Sequence, residues 1–405
     1  MSEIPSVPPQ KAVQRVTGKR PRMSNFFRVL VTVTAIVQLP FAVACAHAFR
    51  SAGGAIPWIA FATAIVLGTW TFLGRAEALM PDKKGRSEFL RAVDIGYFVH
   101  WCASLFASIV MVLWLLVAPL GFLVAGSPSV LARTFDPRAC VAAYVSGLAF
   151  GAYGVLWRRR RFFVREIDVP IRGLPKAFDG FTIAHLSDLH IGTLTPKSWG
   201  DRWAVATTAR GADIAVVTGD MVTSGIDFHD DIAKIIGSIG TRLGVFVSMG
   251  NHDYFGDGEP LISMLESEGA RVLRNEGVTL ERDGARIYLA AIDDTWTRRD
   301  DLDAALSGRP EGAVTVLLAH DPERWPAAIQ RNVELTLSGH THGGQVAVPY
   351  LSEKFSLSHL SHDYNLGLYA KGDSTLYVHP GLGTTGPPIR LGVAPSVIVL
   401  TLRST

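Results

Sequence analysis

His340 and His342 stand one residue apart in the stretch Ser338-Gly339-His340-Thr341-His342-Gly343-Gly344-Gln345, directly after the apolar run Leu335 to Leu337. On an extended backbone alternate side chains point the same way, so the pair is expected to aim two imidazoles at one small volume, as a bound metal requires. Taken alone, such a pair discriminates little. Four groups of the same character precede it: Asp188 and His190, Asp220, Asn251 with His252, and His320. Carboxylate, imidazole and amide donors without sulfur suit Mn, Fe or Zn better than Ca. Polar groups gathered at the ends of buried strands need a compensating partner, and two divalent cations fill that role.

The elements that must position these groups read from the adjoining stretches. Phe181 to Leu186, Asp213 to Thr218, Val245 to Ser248, Val314 to Leu318 and Leu335 to Leu337 are short runs rich in Val, Ile, Leu, Ala and Thr, the pattern of buried strands. Each is followed at once by Asp, Asn or His, and one such coincidence is worth far less than five in order. An earlier strand is expected over Glu166 to Ile171. Helical patterns run over Lys197 to Ala209, Asp230 to Ile239 and Pro260 to Glu268, and Pro322 opens another helix. Strands alternating with helices, with ligands at the strand ends, describe an α/β domain whose site lies along one sheet edge.

The 405 residues are 48% hydrophobic, with mean hydropathy +0.24, and the apolar excess falls before Trp157. Charge divides the chain as well. Residues 1–165 carry 19 Lys/Arg against 6 Asp/Glu and residues 166–405 carry 20 against 30, so balances of +13 and −10 underlie the overall +3. Residues 1–24 read as a disordered basic arm. Residues 25–157 read as a transmembrane region of about four helices, with apolar runs over Val29 to Phe49, Ile56 to Leu73, within Ile95 to Val124 and within Ala139 to Trp157. Residues 158–165 form a basic juxtamembrane linker, and residues 166–405 a soluble domain. Four crossings place every basic cluster on one side, which predicts a multi-pass protein of the cell inner (plasma) membrane with its soluble domain cytoplasmic. The run Arg158 to Arg161 is then expected against anionic headgroups. His100 reads as structural. Cys45, Cys102 and Cys140 all lie in the expected spans, which excludes a disulfide framework or thiolate metal site in the soluble half.

The ordered blocks SDLHIG, GDMV, GNHD, AHDP and SGHTHGGQ, with a similarity extending over roughly Phe181 to Leu402, resemble the calcineurin-like metallophosphoesterases. The resemblance implies an α/β fold, a four-layer αββα sandwich of two mixed sheets, here preceded by the α-helical transmembrane region. It implies that Asp188, His190 and His342 bind one divalent ion, that Asn251, His320 and His340 bind a second, and that Asp220 bridges them. It further implies a metal-dependent phosphoesterase, in which the ions polarise a phosphoryl group and lower the pKa of water. His252 would stabilise the transition state or protonate the leaving oxygen. His185 and Asp253 adjoin ligands and are expected to orient them, whereas His359, His362 and His379 read as satisfied surface or core residues.

Departures from the protein phosphatase branch, which carries D-R-G after the second block and GNHE in the third, disfavour a phosphoprotein substrate. The tail GLGTTGPPIRLGVAP, with the GGQ after the histidines, resembles a bacterial membrane-attached phosphodiesterase branch. That likeness implies a phosphodiester or pyrophosphate bond in a lipid or envelope precursor, such as a nucleotide-linked acylated sugar; Arg390 reads either as a contact to a phosphate in such a site or as one side of a structural salt bridge. The expected partners are this phosphate ester and membrane lipids. Nucleic acid is not expected, because an acidic domain repels a polyanion. The competing expectation is a membrane sensor or scaffold that binds a phosphorylated ligand without turnover.

Overall fold

The computed structural model describes residues 31–78, 82–125, 136–347, 356, 358 and 362–405. The arm over residues 1–24, the start of the first apolar run at Val29, Arg133 and His359 lie outside the described residues. In the apolar half, helices α1 (Val31–Val37) and α2 (Leu39–Ala48) are followed by α3 (Ile56–Ala78), α4 (Glu88–Ala125) and α5 (Pro137–Ala152). Three stretches are long and apolar enough to cross a membrane: Ile56–Arg75, Glu88–Val117 and Pro137–Arg160. The expected first span is not one straight helix. It bends by 41° between α1 and α2, where Pro40 in the first turn of α2 removes an amide donor and crowds the preceding turn. Three spans become four if the bent pair crosses as a unit. A Cβ on Gly147 or Gly151 of α5 would lie 2.5 Å from the Ala103 carbonyl or 2.8 Å from the Val99 carbonyl, so this small-residue pair lets α4 and α5 pack backbone to backbone. His100 bridges Tyr144 (2.7 Å) and Gln38 (3.1 Å) inside the helices, and all three cysteines are free.

From α5 the chain runs without a break through a π turn, Tyr153–Trp157, and a 3-10 turn, Arg158–Arg160, into β1 (Phe163–Ile171). β1 therefore begins three residues before the expected Glu166. After it come β2 (Thr182–Leu186), α6 (Lys197–Thr208), β3 (Ile214–Thr218), α7 (His229–Gly237), β4 (Val245–Ser248), α8 (Glu259–Ser267), β5 (Arg271–Val272), β6 (Glu276–Arg282) and β7 (Ala285–Ala291). The chain closes with α9 (Leu302–Leu306), β8 (Val314–Leu318), α10 (Trp325–Ile329), β9 (Leu335–Ser338), β10 (Gly367–Lys371), β11 (Ser374–Val378) and β12 (Ser396–Ser404). Two six-stranded mixed sheets result, ordered β1-β12-β2-β3-β4-β5 and β10-β11-β9-β8-β7-β6.

Alternation along the strands builds the layers. Ile183, Ile214, Val216, Val314, Val316, Leu335 and Leu337 face between the sheets. Ala184, Leu186, Ala215 and Val217 face the other way, onto Trp203 of α6, Ile232 and Ile236 of α7, and Leu261 of α8. Ala290 and Leu317 cover the far side with Ala305 of α9 and Trp325 and Ala328 of α10. The expected αββα sandwich is what this burial produces. Strands β2, β3 and β4 run parallel, as do β7, β8 and β9, so within each sheet their C-terminal ends fall on one edge.

Arg159 alone departs from the expectation for the arginine run, in which Arg160 and Arg161 are exposed. It is buried, donates to the carbonyls of Val155 (2.6 Å) and Leu194 (3.0 Å), and lies over the Trp199 ring. It ties the last helix to the soluble domain and has no free face for lipid headgroups.

Candidate metal centre

Every expected ligand lies just beyond a strand: Asp188 and His190 after β2, Asp220 after β3, Asn251 after β4, His320 after β8, and His340 and His342 after β9. The backbone there is not extended, contrary to the alternation argument. Asp188 (φ 53°), His190 (45°), Asp220 (54°), His340 (70°) and His342 (53°) all adopt the left-handed region. Each such residue costs about 1–3 kcal/mol and persists only where the surroundings over-determine it, a hallmark of functional sites. The side chains converge because each turn curls, and the strand ends supply a common edge.

Three groups of donors meet there, each with ligand atoms within 4.8 Å of one another: Asp188, His190 and His342; Asp220, His320 and His340; and His190, Asp220 and His252. His190 Nε2 lies 3.0 Å from His342 Nε2 and 3.7 Å from Asp220 Oδ2, and His342 Nε2 lies 3.3 Å from Asp188 Oδ1. On the other side His320 Nε2 is 3.2 Å from Asp220 Oδ2 and 3.3 Å from His340 Nδ1. Asp220 thus sits between two clusters.

The donor set fits cations. Burial pushes His190 down to about 3 and His342 well below its usual range, so both rings resist a charge, and their Nε2 atoms face each other 3.0 Å apart. Among the described residues Asn251 Oδ1 is buried without a hydrogen-bond partner, an acceptor that a cation satisfies. Burial alone would raise Asp220, but His320 and His252 outweigh it and hold the carboxyl well below the usual range. Burial raises Asp188 to about 6 and, with the Asp220 charge, Asp253 to about 7. Such crowding of buried carboxylates calls for positive charge.

Main-chain partners orient the rings. His320 Nδ1–H donates to the Thr218 carbonyl (2.6 Å), which turns Nε2 to Asp220, and His252 Nδ1–H donates to the Thr223 carbonyl (2.6 Å). Asp253 accepts from the amides of Asp220 (3.0 Å), Met221 (2.8 Å), Val222 (3.3 Å) and Gly250 (2.9 Å), so it does brace a ligand loop. His185 is buried against Thr218 (2.8 Å) and His379. His362 lies edge-on to His340, with ring centroids 5.3 Å apart.

Arg390 requires a correction. It is 0% exposed, and its guanidinium donates to the carbonyls of Gly383 (2.6 Å), Pro380 (2.5 Å) and His342 (3.2 Å). The group stands behind His342 and clamps the turn that carries it, with its donors spent on main-chain oxygens and on His342 Nδ1 (3.2 Å), so the expected phosphate contact does not fit this placement.

Several neighbours were not legible in the sequence. Gln345, itself at φ 56°, accepts from the Thr385 amide and donates to its carbonyl (2.7 Å), which brings Thr385 Oγ1 to 3.4 Å from His252 Nε2. Four residues on, Ile389 packs with Cys102 of α4 and with Val155. Phe255, 43% exposed, lies 4.4 Å from the His252 ring and lines a cavity of about 670 Å³ with Asp82, Lys83, Ser224 and Asp227. The Gln345–Thr385 clamp joins the GGQ and TTG blocks, whose spacing of forty residues gives no local sign of the contact. Nothing local marked Asp82, which comes from the α3–α4 connection.

Residues 181–344 match the family model described as calcineurin-like phosphoesterase. An uncharacterized metallophosphoesterase of Bacillus subtilis, YkuE, is 30% identical over 263 residues, covering 64% of this chain and 92% of that protein. The chain belongs to the calcineurin-like metallophosphoesterase family. An uncharacterized metallophosphoesterase of Helicobacter pylori is 32% identical over 264 residues, covering 62% of this chain and 68% of the relative. A zebrafish protein named as a transmembrane protein with a metallophosphoesterase domain is 30% identical over 280 residues, 66% of this chain and 63% of its own length. The family's enzymes are metal-dependent phosphoesterases that use divalent metals, and this chain brings together residue groups that could hold such ions, beside helices apolar enough to cross a membrane.

Proposed function

We propose that this metallophosphoesterase is a membrane-anchored dinuclear phosphohydrolase that cleaves a phosphodiester or pyrophosphate bond in a lipid-linked substrate at the membrane surface. Asp188, His190 and His342 would hold one ion, Asn251, His320 and His340 the other, and Asp220 would serve both. The observation that carries this reading is the overlap of the donor groups at Asp220, together with the buried, unpartnered Asn251 oxygen in the turn after β4. Manganese, iron and zinc all suit these donors. When bound, the ions supply Lewis-acid charge and lower the pKa of water, so no side chain has to act as nucleophile.

The chain's own groups do the rest. Asp220 Oδ1 accepts from the His252 amide (2.8 Å), which locks the histidine to the metal ligand it neighbours. With Nδ1–H committed to the Thr223 carbonyl, His252 would use Nε2 to pass a proton to the leaving oxygen, and Thr385 Oγ1 lies within hydrogen-bond reach of that nitrogen (3.4 Å). Burial of the ligands keeps bulk water away from developing charge.

The lipid-linked substrate rests on the loop that carries Thr385, because its Ile389 is seated against the helices. That loop brings the reaction centre to the helix ends. The α3–α4 connection docks on the same domain, as the exit of α5 does, so these two basic clusters and the domain share one side. By the charge rule that side is the cytoplasm of a multi-pass inner-membrane protein. In this reading the membrane region runs to Trp157 and the phosphoesterase domain begins with β1.

The test is the purified full chain in lipid nanodiscs, assayed separately with Mn2+, Fe2+ and Zn2+. A chromogenic phosphodiester and a nucleotide-linked acylated sugar are expected to be hydrolysed, the second with the higher kcat/KM, and Asp220→Ala is expected to abolish both. Tight retention of the lipid ester with no product under any metal would overturn the reading in favour of a sensor.

A further inference from the structure

The α3–α4 connection brings a carboxylate from the membrane half into the frame of the catalytic site. Asp82 is 2% exposed and accepts from the Thr193 amide (2.8 Å, Oδ2) and from the Thr193 hydroxyl (2.5 Å, Oδ1), while its own amide donates to Ser224 Oγ (3.0 Å). These contacts join the two loops that carry the chemistry. Thr193 lies three residues after His190, and Ser224 follows Thr223, whose carbonyl holds His252 and whose hydroxyl donates to the His190 carbonyl (3.1 Å). An isolated bridge, Ile191 to Val222, runs between the same loops.

Gly192 is shaped to this carboxylate. A Cβ there would lie 2.1 Å from Asp82 Oδ2 and 2.8 Å from Thr223 Oγ1, so the Ile-Gly-Thr after the DxH block has room for Asp82 only because position 192 lacks a side chain. The rest of the connection is held separately: the Lys84 amide donates to Asp227 (3.1 Å) and Lys84 Nζ pairs with Asp231 (2.9 Å).

We infer that Asp82 is a positioning residue of the phosphoesterase, a carboxylate supplied by the membrane region that locks the His190 and Thr223 loops together and so sets His252 against the metal ligands. The helices are then part of the catalytic frame as well as an anchor. The inference rests on the site assigned above, since it concerns how His190 and His252 are held.

The experiment uses the full chain in nanodiscs with Mn2+. Asp82→Ala is expected to lower kcat about tenfold, in the range typical of residues that support a metal site, with KM for a chromogenic diester within twofold. Asp82→Asn retains an acceptor for the Thr193 amide and is expected to recover most of the rate. Thr193→Val removes the hydroxyl donor and keeps the amide bond, so its loss should be smaller than that of Asp82→Ala, and the double variant should resemble Asp82→Ala alone, because the two residues act as one contact. Gly192→Ala should do the same. Lys84→Ala, which removes the separate ion pair, should stay within twofold of wild type. Hydrogen exchange on the peptide containing Thr193 supplies a readout independent of turnover: its protection is lost in Asp82→Ala and kept in Lys84→Ala. Wild-type kcat in Asp82→Ala, additive losses with Thr193→Val, or unchanged exchange at Thr193 would each overturn the inference. If the wild type hydrolyses nothing, the reading under Proposed function fails and the exchange result alone decides the place of Asp82.

Discussion

A histidine that has committed one nitrogen to a main-chain carbonyl has one left for chemistry, and His252 is in that state beside His190 and Asp220. His252→Ala is therefore expected to lower kcat by about 10²–10⁴-fold with the metal stoichiometry unchanged, as steady-state rates and metal analysis on one sample would show. Arg390 calls for the opposite pattern. Arg390→Lys gives up a fork of main-chain bonds, so the unfolding temperature and metal content should fall together while KM stays within twofold. A tenfold rise in KM at full metal content would restore the phosphate role. His185 yields a stability prediction. Burial depresses it to about 3, so below the unfolded value of 6.5 the unfolded chain takes up a proton that the folded one refuses. This contribution is intact above pH 6.5 and erodes on acidification towards 3, by up to about 1.4 kcal/mol per pH unit. Thermal unfolding of wild type against His185→Gln, which retains a partner for Thr218, should show a shallower decline in the variant over pH 6.5 to 4.5.

At the scale of elements, the turns after the strands carry the site, and Gly339 shows how little room they leave. A Cβ there would sit 1.9 Å from Ser187 Oγ and 2.3 Å from Asp188 Oδ2. Gly339→Ala is expected to lose bound Mn2+ by calorimetry while far-UV circular dichroism keeps its amplitude, because the strand behind it remains buried. The strands themselves were legible from sequence. Val245–Ser248 and Val314–Leu318 fall where the apolar runs place them, since a strand buried on both faces has no alternative but a continuous apolar run. The helices Lys197–Thr208 and Glu259–Ser267 end within a residue of their patterns. What the pattern missed is tertiary. Left-handed backbone at Asp188 or His340 leaves no mark in a DxH or HxH spacing, and the inward turn of Arg390 depends on carbonyls from three separate positions. Asp82 is more than a hundred residues from its partners, so local spacing could not find it.

The whole molecule adds what neither half has alone. Two contacts, the Ile389 loop on α4 and the Asp82 connection on the His190 loop, bind the apolar and acidic halves around one reaction centre. A reporter fused after Thr405 should show cytoplasmic activity, and a periplasmic signal would require one crossing fewer. The joint between α5 and β1 has a further consequence. Only Arg161 and Phe162 separate the last helical turn from the first strand, and Arg159 is pinned beneath Trp199, so there is no slack on which the domain could swing. Under the proposed function, with the helices embedded, a lipid-linked bond would have to arrive at one fixed height above the lipid. Such a gauge would be indifferent to how long or saturated the fatty tails are, whereas a single extra sugar ring between tail and phosphorus would lift the bond out of reach.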